Sequence, residues 1–304
     1  MLVKKLDVFN FRNIKHVSLD TGADINCFFG KNGSGKTSLL ESLFFLSRVR
    51  SFRTNKRKKV VRTGSESLVV RAEFDQQKSH TMAVELTDKG DSRLKLDGEE
   101  LSRLSDGTGV FPVQLITPES FEVFFGTPKS RRSFIDFGLF HVEQEYQKTW
   151  SEYQKQQKQV NALLRSGNAN QRELTFWYRG LAVSAQNVDY QRSIFVKETI
   201  STQLGLLLTE LPSSETVDLL RSVKVIYKER PIASCTNEDG NIGFDINKQI
   251  EKDTRYKQVG FGPSKADLQF FIDGEDVSQT LSRGQSKMLY YLLEVAIVSI
   301  VRRL

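Results

Sequence analysis

Along the first third of the chain, apolar and polar positions alternate in short runs. Leu2–Phe9 alternates loosely and predicts a strand. Asn10–Asp20 predicts a turn and then a second strand, with Phe11, Ile14 and Val17 as its apolar positions. Thr21–Asp24 reads as another turn, and Ile25–Phe29, with Cys27 inside it, as a third strand. The period then lengthens, and Leu39, Leu40, Leu43 and Leu46 mark one side of a helix. Alternation returns at Ser67–Phe74, Thr81–Thr87 and Ser92–Asp97, divided by Asp75, Lys89-Gly90 and Asp97-Gly98. These runs predict an antiparallel meander. Phe111–Ile116 (FPVQLI) predicts one more strand, ended by Thr117-Pro118-Glu119.

Beyond Pro118 the helical period dominates. In Val142–Arg165, Tyr146, Trp150, Tyr153, Val160 and Leu164 recur every three or four residues, with Gln157 in the remaining position. Ser166–Gln171 is a turn, and a second helical pattern runs from Leu174 to about Leu211 and stops at Pro212. Its apolar positions include Trp177, Leu181, Val188 and Phe195. Two long helices joined by a short turn predict an antiparallel pair, with the aromatic stripes as packing. Val223–Tyr227 and Leu268–Ile272 predict strands around a polar loop, Ser234–Gly243. A final apolar helix covers Ser286–Leu304, with Ser282 and Gln285 spaced as a capping box before it. The pattern is that of an α/β protein: a mixed-sheet lobe over residues 1–116 and a helical second lobe over 117–304.

Composition narrows the classes. The 304 residues are 38% hydrophobic and 27% charged, the balance of a globular chain. Met1-Leu2-Val3-Lys4-Lys5 opens no secretory h-region, and the longest apolar stretch, Met288–Val301, is too short to span a bilayer. A cytoplasmic protein with no membrane partner is expected. Cys27 and Cys235 share no C-x-x-C spacing and read as core thiols, and the scattered His16, His80 and His141 define no metal site. Charge is uneven: residues 1–62 carry 14 Lys/Arg against 4 Asp/Glu, a net of +10 within a chain of net +7. Eight of those cations lie in Arg48–Arg62. Such a run is either a solvated loop or a phosphate-contact patch. With Val49 and Phe52 interleaved, Arg50, Arg53, Lys56, Arg57, Lys58 and Lys59 are candidates for nucleic-acid backbone contacts.

The sharpest chemistry is GKNGSGKT, residues Gly30, Lys31, Asn32, Gly33, Ser34, Gly35, Lys36 and Thr37. It stands between the predicted strand and helix, the context in which G-x-x-x-x-G-K-[ST] is a phosphate-binding loop. Its glycines let consecutive N–H groups turn inward, and the helix beginning near Lys36 adds its positive dipole end. Lys36 is placed to reach the β- and γ-phosphates of a nucleotide, and Thr37 to put its hydroxyl on Mg²⁺. Gln114 is a polar residue in an apolar run, either an edge residue or one that reaches the nucleotide.

Several runs in family order carry a closer likeness: FRNI at Phe11–Ile14, the phosphate loop with its helix, RSFRT from Arg50, PVQLITPESF from Pro112, PKSRRSFIDFGLFH from Pro128, GPSKADL from Gly262 and LSRGQSKML from Leu281. Together they resemble the RecF family, bacterial recombination-repair ATPases of the ABC/SMC type. The resemblance implies a P-loop ABC-type head that binds ATP and Mg²⁺, dimerises with two ATP molecules between protomers, and so grips DNA. Lys36 and Thr37 match the phosphate loop, and Gln114 matches the glutamine linking the metal to the second lobe. Leu281–Gln285 match the ABC signature, in which Ser282, Gly284 and Gln285 act on the partner's nucleotide. The family acts at DNA gaps to load recombinase, with RecO and RecR as partners. It also has an acidic strand after the signature helix for Mg²⁺ and the catalytic base. No such run follows Val301-Arg302-Arg303-Leu304, so the last strands of the head are expected to be absent. No residue is assigned the catalytic role, and turnover is left open between a weak ATPase and a DNA clamp that holds ATP. A transporter nucleotide subunit would leave the basic run unexplained, and a P-loop kinase would leave LSRGQ unexplained.

Overall fold

A computed structural model describes residues 1–302 apart from 23, 76–77, 104–105, 118–119, 233 and 237–241. The chain divides into two compact units, Met1–Leu115 and Ile116–Leu304, each around its own apolar core.

In the first unit β1 (Leu2–Phe11) turns back as β2 (Ile14–Asp20) through Arg12-Asn13, with Arg12 in the left-handed region at φ 55°. After α1 (Lys36–Arg48) come β3 (Ser67–Asp75), β4 (Ser79–Thr87), β5 (Ser92–Leu96), the two-residue β6 (Glu99–Glu100) and α2 (Asp106–Val110). The described strands pair antiparallel in the order β2-β1-β3-β4-β5-β6. Alternation explains the buried face. Leu6 and Val8 of β1, Leu68, Val70, Ala72 and Phe74 of β3, and Met82, Val84 and Leu86 of β4 are all buried, while the residues between them are not. Leu39, Phe45 and Leu46 of α1 join the same core. Each such side chain is worth roughly 1.5–3 kcal/mol of burial.

Two expected strands do not form. Ile25–Phe29 is irregular, and Ile25 and Phe29 stand 81% and 95% exposed. Among the described residues no strand lies beside it to take its N–H and C=O groups, and an apolar run alone makes no ladder. Cys27, expected in a core, is exposed for the same reason. Phe111–Ile116 is irregular because its backbone is engaged elsewhere. The Ser47 hydroxyl donates to the Phe111 carbonyl at 2.6 Å and Arg48 to the Val113 carbonyl at 3.4 Å.

The second unit begins with α3 (Ser120–Gly126) and α4 (Pro128–Val142), the latter opening on a proline in its first turn, where the missing N–H has no intrahelical partner to lose. The expected antiparallel pair follows as α5 (Tyr146–Ser166) and α6 (Gln171–Ile194). Gly167 ends α5 at φ 69°, and the Asn170 side chain caps α6 by accepting from the Glu173 N–H at 2.9 Å. Buried positions Tyr146, Tyr153, Val160 and Leu164 face Leu174, Tyr178, Leu181, Ala185, Val188 and Arg192, spaced by threes, fours and sevens. That is the seam of a short antiparallel coiled coil. A π-helical turn, Phe195–Ile200, carries the helix into α7 (Ser201–Glu210). Here α4 comes close, since a Cβ on Gly138 would lie 2.6 Å from the Phe195 ring.

Then come α8 (Glu215–Arg221), β7 (Lys224–Lys228), β8 (Ser234–Thr236), β9 (Ile242–Phe244), α9 (Ile246–Tyr256), β10 (Asp267–Ile272), β11 (Glu275–Asp276), α10 (Val277–Thr280) and α11 (Arg283–Arg302). β10 pairs antiparallel with both β7 and β11. The stretch expected as a loop, Ser234–Gly243, instead contains strand residues: Ser234–Thr236 pair with Ile242–Phe244, while residues 237–241 lie outside the description. Its polarity hid a ribbon whose alternation is only three residues long.

Candidate functional site

The phosphate-loop residues sit in the hinge between an irregular segment and α1. Gly35 is the N-cap of α1 at φ 101°, and Gly30 and Gly33 also have positive φ, at 149° and 80°. A side chain at Gly35 would be strained there. The turn between β1 and β2 clamps the loop: Asn13 donates to the Gly33 carbonyl at 3.0 Å and accepts from the Ser38 hydroxyl at 2.8 Å. The Lys36 ammonium donates to the carbonyls of Gly30 at 2.7 Å and Lys31 at 2.8 Å, so it is held over the loop by neutral acceptors. A phosphate offers the same acceptors with charge, and charge-assisted bonds are the stronger kind.

A cavity of about 810 Å³ opens over this loop. Asn32, Gly33, Ser34, Gly35, Lys36, Thr37 and Ser38 form its floor, and Arg12, Asn13, Arg53, Lys59, Val61, Arg62 and Thr63 its walls. Its charged lining is entirely cationic, which suits a polyanion of nucleotide size. Behind it Glu41 is fully buried and accepts from Nε and Nη2 of Arg12, at 3.1 and 2.7 Å, and from the Ser51 hydroxyl at 2.5 Å. Arg53 approaches the same carboxylate at 3.6 Å, so one buried charge sets the direction of two wall cations.

The predicted residues therefore fall into four groups. Asn32–Thr37 line the cavity together with Arg53 and Lys59 from the basic run, while Gly30 and Lys31 act through their carbonyls on Lys36. Arg50, Lys56, Arg57 and Lys58 are exposed outside the lining, with Arg57–Val60 as one 3₁₀ turn and the Lys58 stem against Gly90. Gln114 is half-buried in the irregular stretch after α2 and outside that lining. The signature residues form their own motif in the second unit. Ser282 N–H donates to Gln285 Oε1 at 2.8 Å, and Gln285 N–H donates to Ser282 Oγ at 3.3 Å. This reciprocal capping box starts α11, and Gly284 leaves open space above the first turn.

Sequence reasoning missed Arg12, Asn13, Glu41, Arg62 and Thr63. A signal existed for Glu41, one of only four acidic residues in the first 62 and the one set inside an apolar helix. For Mg²⁺, which keeps several waters and takes oxygen ligands, the Thr37 hydroxyl on the cavity floor is a fitting donor. Among the described residues no cluster of His, Cys, Asp or Glu could hold a metal alone.

A glycine loop at a helix N-terminus beside an antiparallel sheet, followed by a helical second unit, is the fold of a P-loop ATPase head. The family model for the RecF/RecN/SMC N-terminal domain matches residues 2–303. The DNA replication and repair protein RecF of Pseudoalteromonas translucida is 33% identical over 99% of this chain and 80% of its own length. Its namesake from Vibrio campbellii is 31% identical over 97% of this chain and 80% of its own length. A solved structure of the recombination mediator protein RecF with ATP superposes with a TM-score of 0.81 at 23% identity, over 98% of this chain and 80% of that one. The chain belongs to the RecF/RecN/SMC family and is a RecF-like DNA replication and repair protein. Among its described helices none is long and apolar enough to cross a membrane.

Proposed function

We propose that this chain binds ATP with Mg²⁺ on the Gly30–Thr37 loop and uses that binding to dimerise and hold DNA at gaps, where it assists recombinase loading with RecO and RecR. The observation that carries the reading is the 810 Å³ cavity, whose floor is loop backbone and whose charged lining is wholly cationic. On binding, Lys36 exchanges two loop carbonyls for phosphate oxygens, and the amides of Asn32–Lys36 supply neutral donors around them. Mg²⁺ supplies charge neutralisation between the phosphates, and Thr37 is the residue here that would hold it. The signature residues Ser282, Gly284 and Gln285 offer a second anion site at the start of α11, fitted to a partner's nucleotide. Arg50, Lys56, Arg57 and Lys58, exposed beyond the cavity, are left for DNA phosphates. A second reading keeps ATP and DNA binding without turnover, as a clamp or scaffold.

The test is light scattering with and without ATP and Mg²⁺. Ser282→Arg should keep ATP binding in the monomer and lose ATP-dependent dimerisation, because a bulky cation closes the helix start. Retained dimerisation would reduce LSRGQ to a capped helix. DNA contact is tested separately, by titrating duplex at several salt concentrations. Neutralising Arg50, Lys56, Arg57 and Lys58 should lower the log–log salt slope by ~0.9 per lost phosphate contact. An unchanged slope would leave the run a solvated loop.

A further inference from the structure

We propose that the second unit holds a binding site of its own for an organic cation, a protonated amine or guanidine on an apolar stem. This goes beyond ATP and DNA binding and does not rest on either. The site is a cavity of about 530 Å³ bounded by α6, the π-helical turn after it and residues 229–232 and 261–262. Its walls are apolar: Ala182, Ala185, Ile194, Pro231, Ile232 and Phe261 line it. One carboxyl is built into them, that of Asp189, which is only 6% exposed. The Tyr227 hydroxyl donates to Asp189 Oδ1, and Oδ2 has no partner among the described residues. Oδ2 is not sealed in the core either, so it opens on the cavity. Burying a polar group without a bond is costly, and buried side chains seldom leave an acceptor unused. A single acceptor in an apolar cavity is the arrangement that orients a small ligand.

The surrounding charges select the sign of the ligand. Lys197 and Arg230 line the cavity, and Glu198 and Glu229 match them in number, so these four cancel and Asp189 is left over. Arg192, one turn along α6, is already held by Asp136 at 2.9 and 3.0 Å. Tyr227 and Tyr153 stand nearby uncharged, since burial pushes both hydroxyls up. Burial also pushes the Asp189 carboxyl up to about 7; Tyr227 and Arg192 pull against the rise, and Glu229 adds to it. An anion would meet a carboxyl, and a purely apolar molecule would leave Oδ2 unbonded. A neutral donor would bond it, but charge-assisted bonds are roughly twice as strong. A cation on an apolar stem satisfies Oδ2 and covers the walls at once. Because it binds the ionised carboxylate, it must displace the Asp189 proton to solvent below about pH 7.

The experiment titrates the whole chain with n-butylguanidinium by ligand-detected NMR, with pentanol as the uncharged probe. Affinity for the cation should rise about 30-fold from about pH 5.5 to about pH 8, as the competing proton leaves Asp189. Asp189→Asn, which keeps the shape, should bind at least ~10-fold more weakly at about pH 8 and show no pH dependence. Ser193→Phe, at a half-buried position of the lining, should block the cavity while Asp189 stays in place. A blocked arginine within a short peptide separates two sources of the same chemistry. Binding as tight as that of the free guanidine assigns the site to a side chain of a partner protein, and exclusion of the peptide assigns it to a free amine or guanidine. Equal affinity for pentanol and n-butylguanidinium overturns the proposal. So does a flat pH profile in the wild type, binding unchanged by Asp189→Asn and Ser193→Phe, or no saturable binding of the cation at all.

Discussion

Each unit holds a charged residue with no exposed surface, Glu41 in the first and Arg192 in the second, and the two are used differently. In the second unit Arg192 is sealed inside the helix seam. Its guanidinium donates to Asp136 at 2.9 and 3.0 Å, to the Tyr146 and Tyr227 hydroxyls at 3.1 and 3.2 Å, and to the Pro263 carbonyl at 2.8 Å, with the Trp150 ring 4.9 Å away. Burial pulls its pKa down, but Asp136 and the two tyrosines outweigh that and push it up. In the first unit Glu41 is as deeply buried, yet its partners Arg12 and Arg53 both line the cavity over the Gly30–Thr37 loop. Arg192 ties core elements to one another, whereas Glu41 ties a core helix to cations that line an open cavity. A buried charge fixes whatever it is bonded to: fold in one case, a binding surface in the other.

The comparison breaks most sharply at Arg192. Arg192→Leu leaves the largely covered Asp136 carboxylate beside an apolar side chain, and losing one partner of a buried pair costs ~3–5 kcal/mol. Denaturant unfolding should show that loss, while calorimetry should show ATP affinity unchanged at a temperature where the variant is folded. Lost affinity would mean that the two units do not divide the work this way. Glu41→Gln is expected to cost less, ~1–3 kcal/mol, since Arg12 and Arg53 keep access to water. Its distinguishing effect is a several-fold weaker ATP affinity, because two wall cations lose their aim. Unchanged affinity would show that the cavity holds its cations without Glu41.

How far these features could be read from the chain follows the same divide. The phosphate loop, the capping box at Ser282 and Gln285, and the α5–α6 seam are local patterns in which a turn residue or a heptad spacing states its own geometry. Ile25–Phe29 and Phe111–Ile116 were readable as apolar but not as strands, since strand formation depends on a neighbour and not on the run itself. Arg12 and Glu41 lie 29 residues apart, and their bidentate pair is a tertiary contact with no spacing to announce it. The sequence stripe ran from Val188 to Phe195 and passed over Arg192, whose burial depends on Asp136 and Pro263 arriving from outside the helix pair.

A pH dependence sharpens the second unit's side of the comparison. Asp189 sits beside Arg192 but accepts its hydrogen bond from the Tyr227 hydroxyl. Burial pushes its carboxyl up to about 7; Tyr227 and Arg192 pull the other way, and Glu229 adds to the rise. The unfolded value is 3.8, so between these limits the native state holds a proton that the unfolded chain has released. Stability therefore falls as pH rises from about 4 to about 7, by at most ~1.4 kcal/mol per pH unit from this group. Asp189→Asn is neutral throughout and still accepts from Tyr227. Asp253, whose pKa burial also raises, is common to both proteins and cancels in the difference. Unfolding free energies at about pH 5, 6, 7 and 8 should move in favour of the asparagine variant up to about pH 7 and then level off. A difference moving the other way would mean that Asp189 is ionised in the folded protein and serves Arg192 as a second counter-ion.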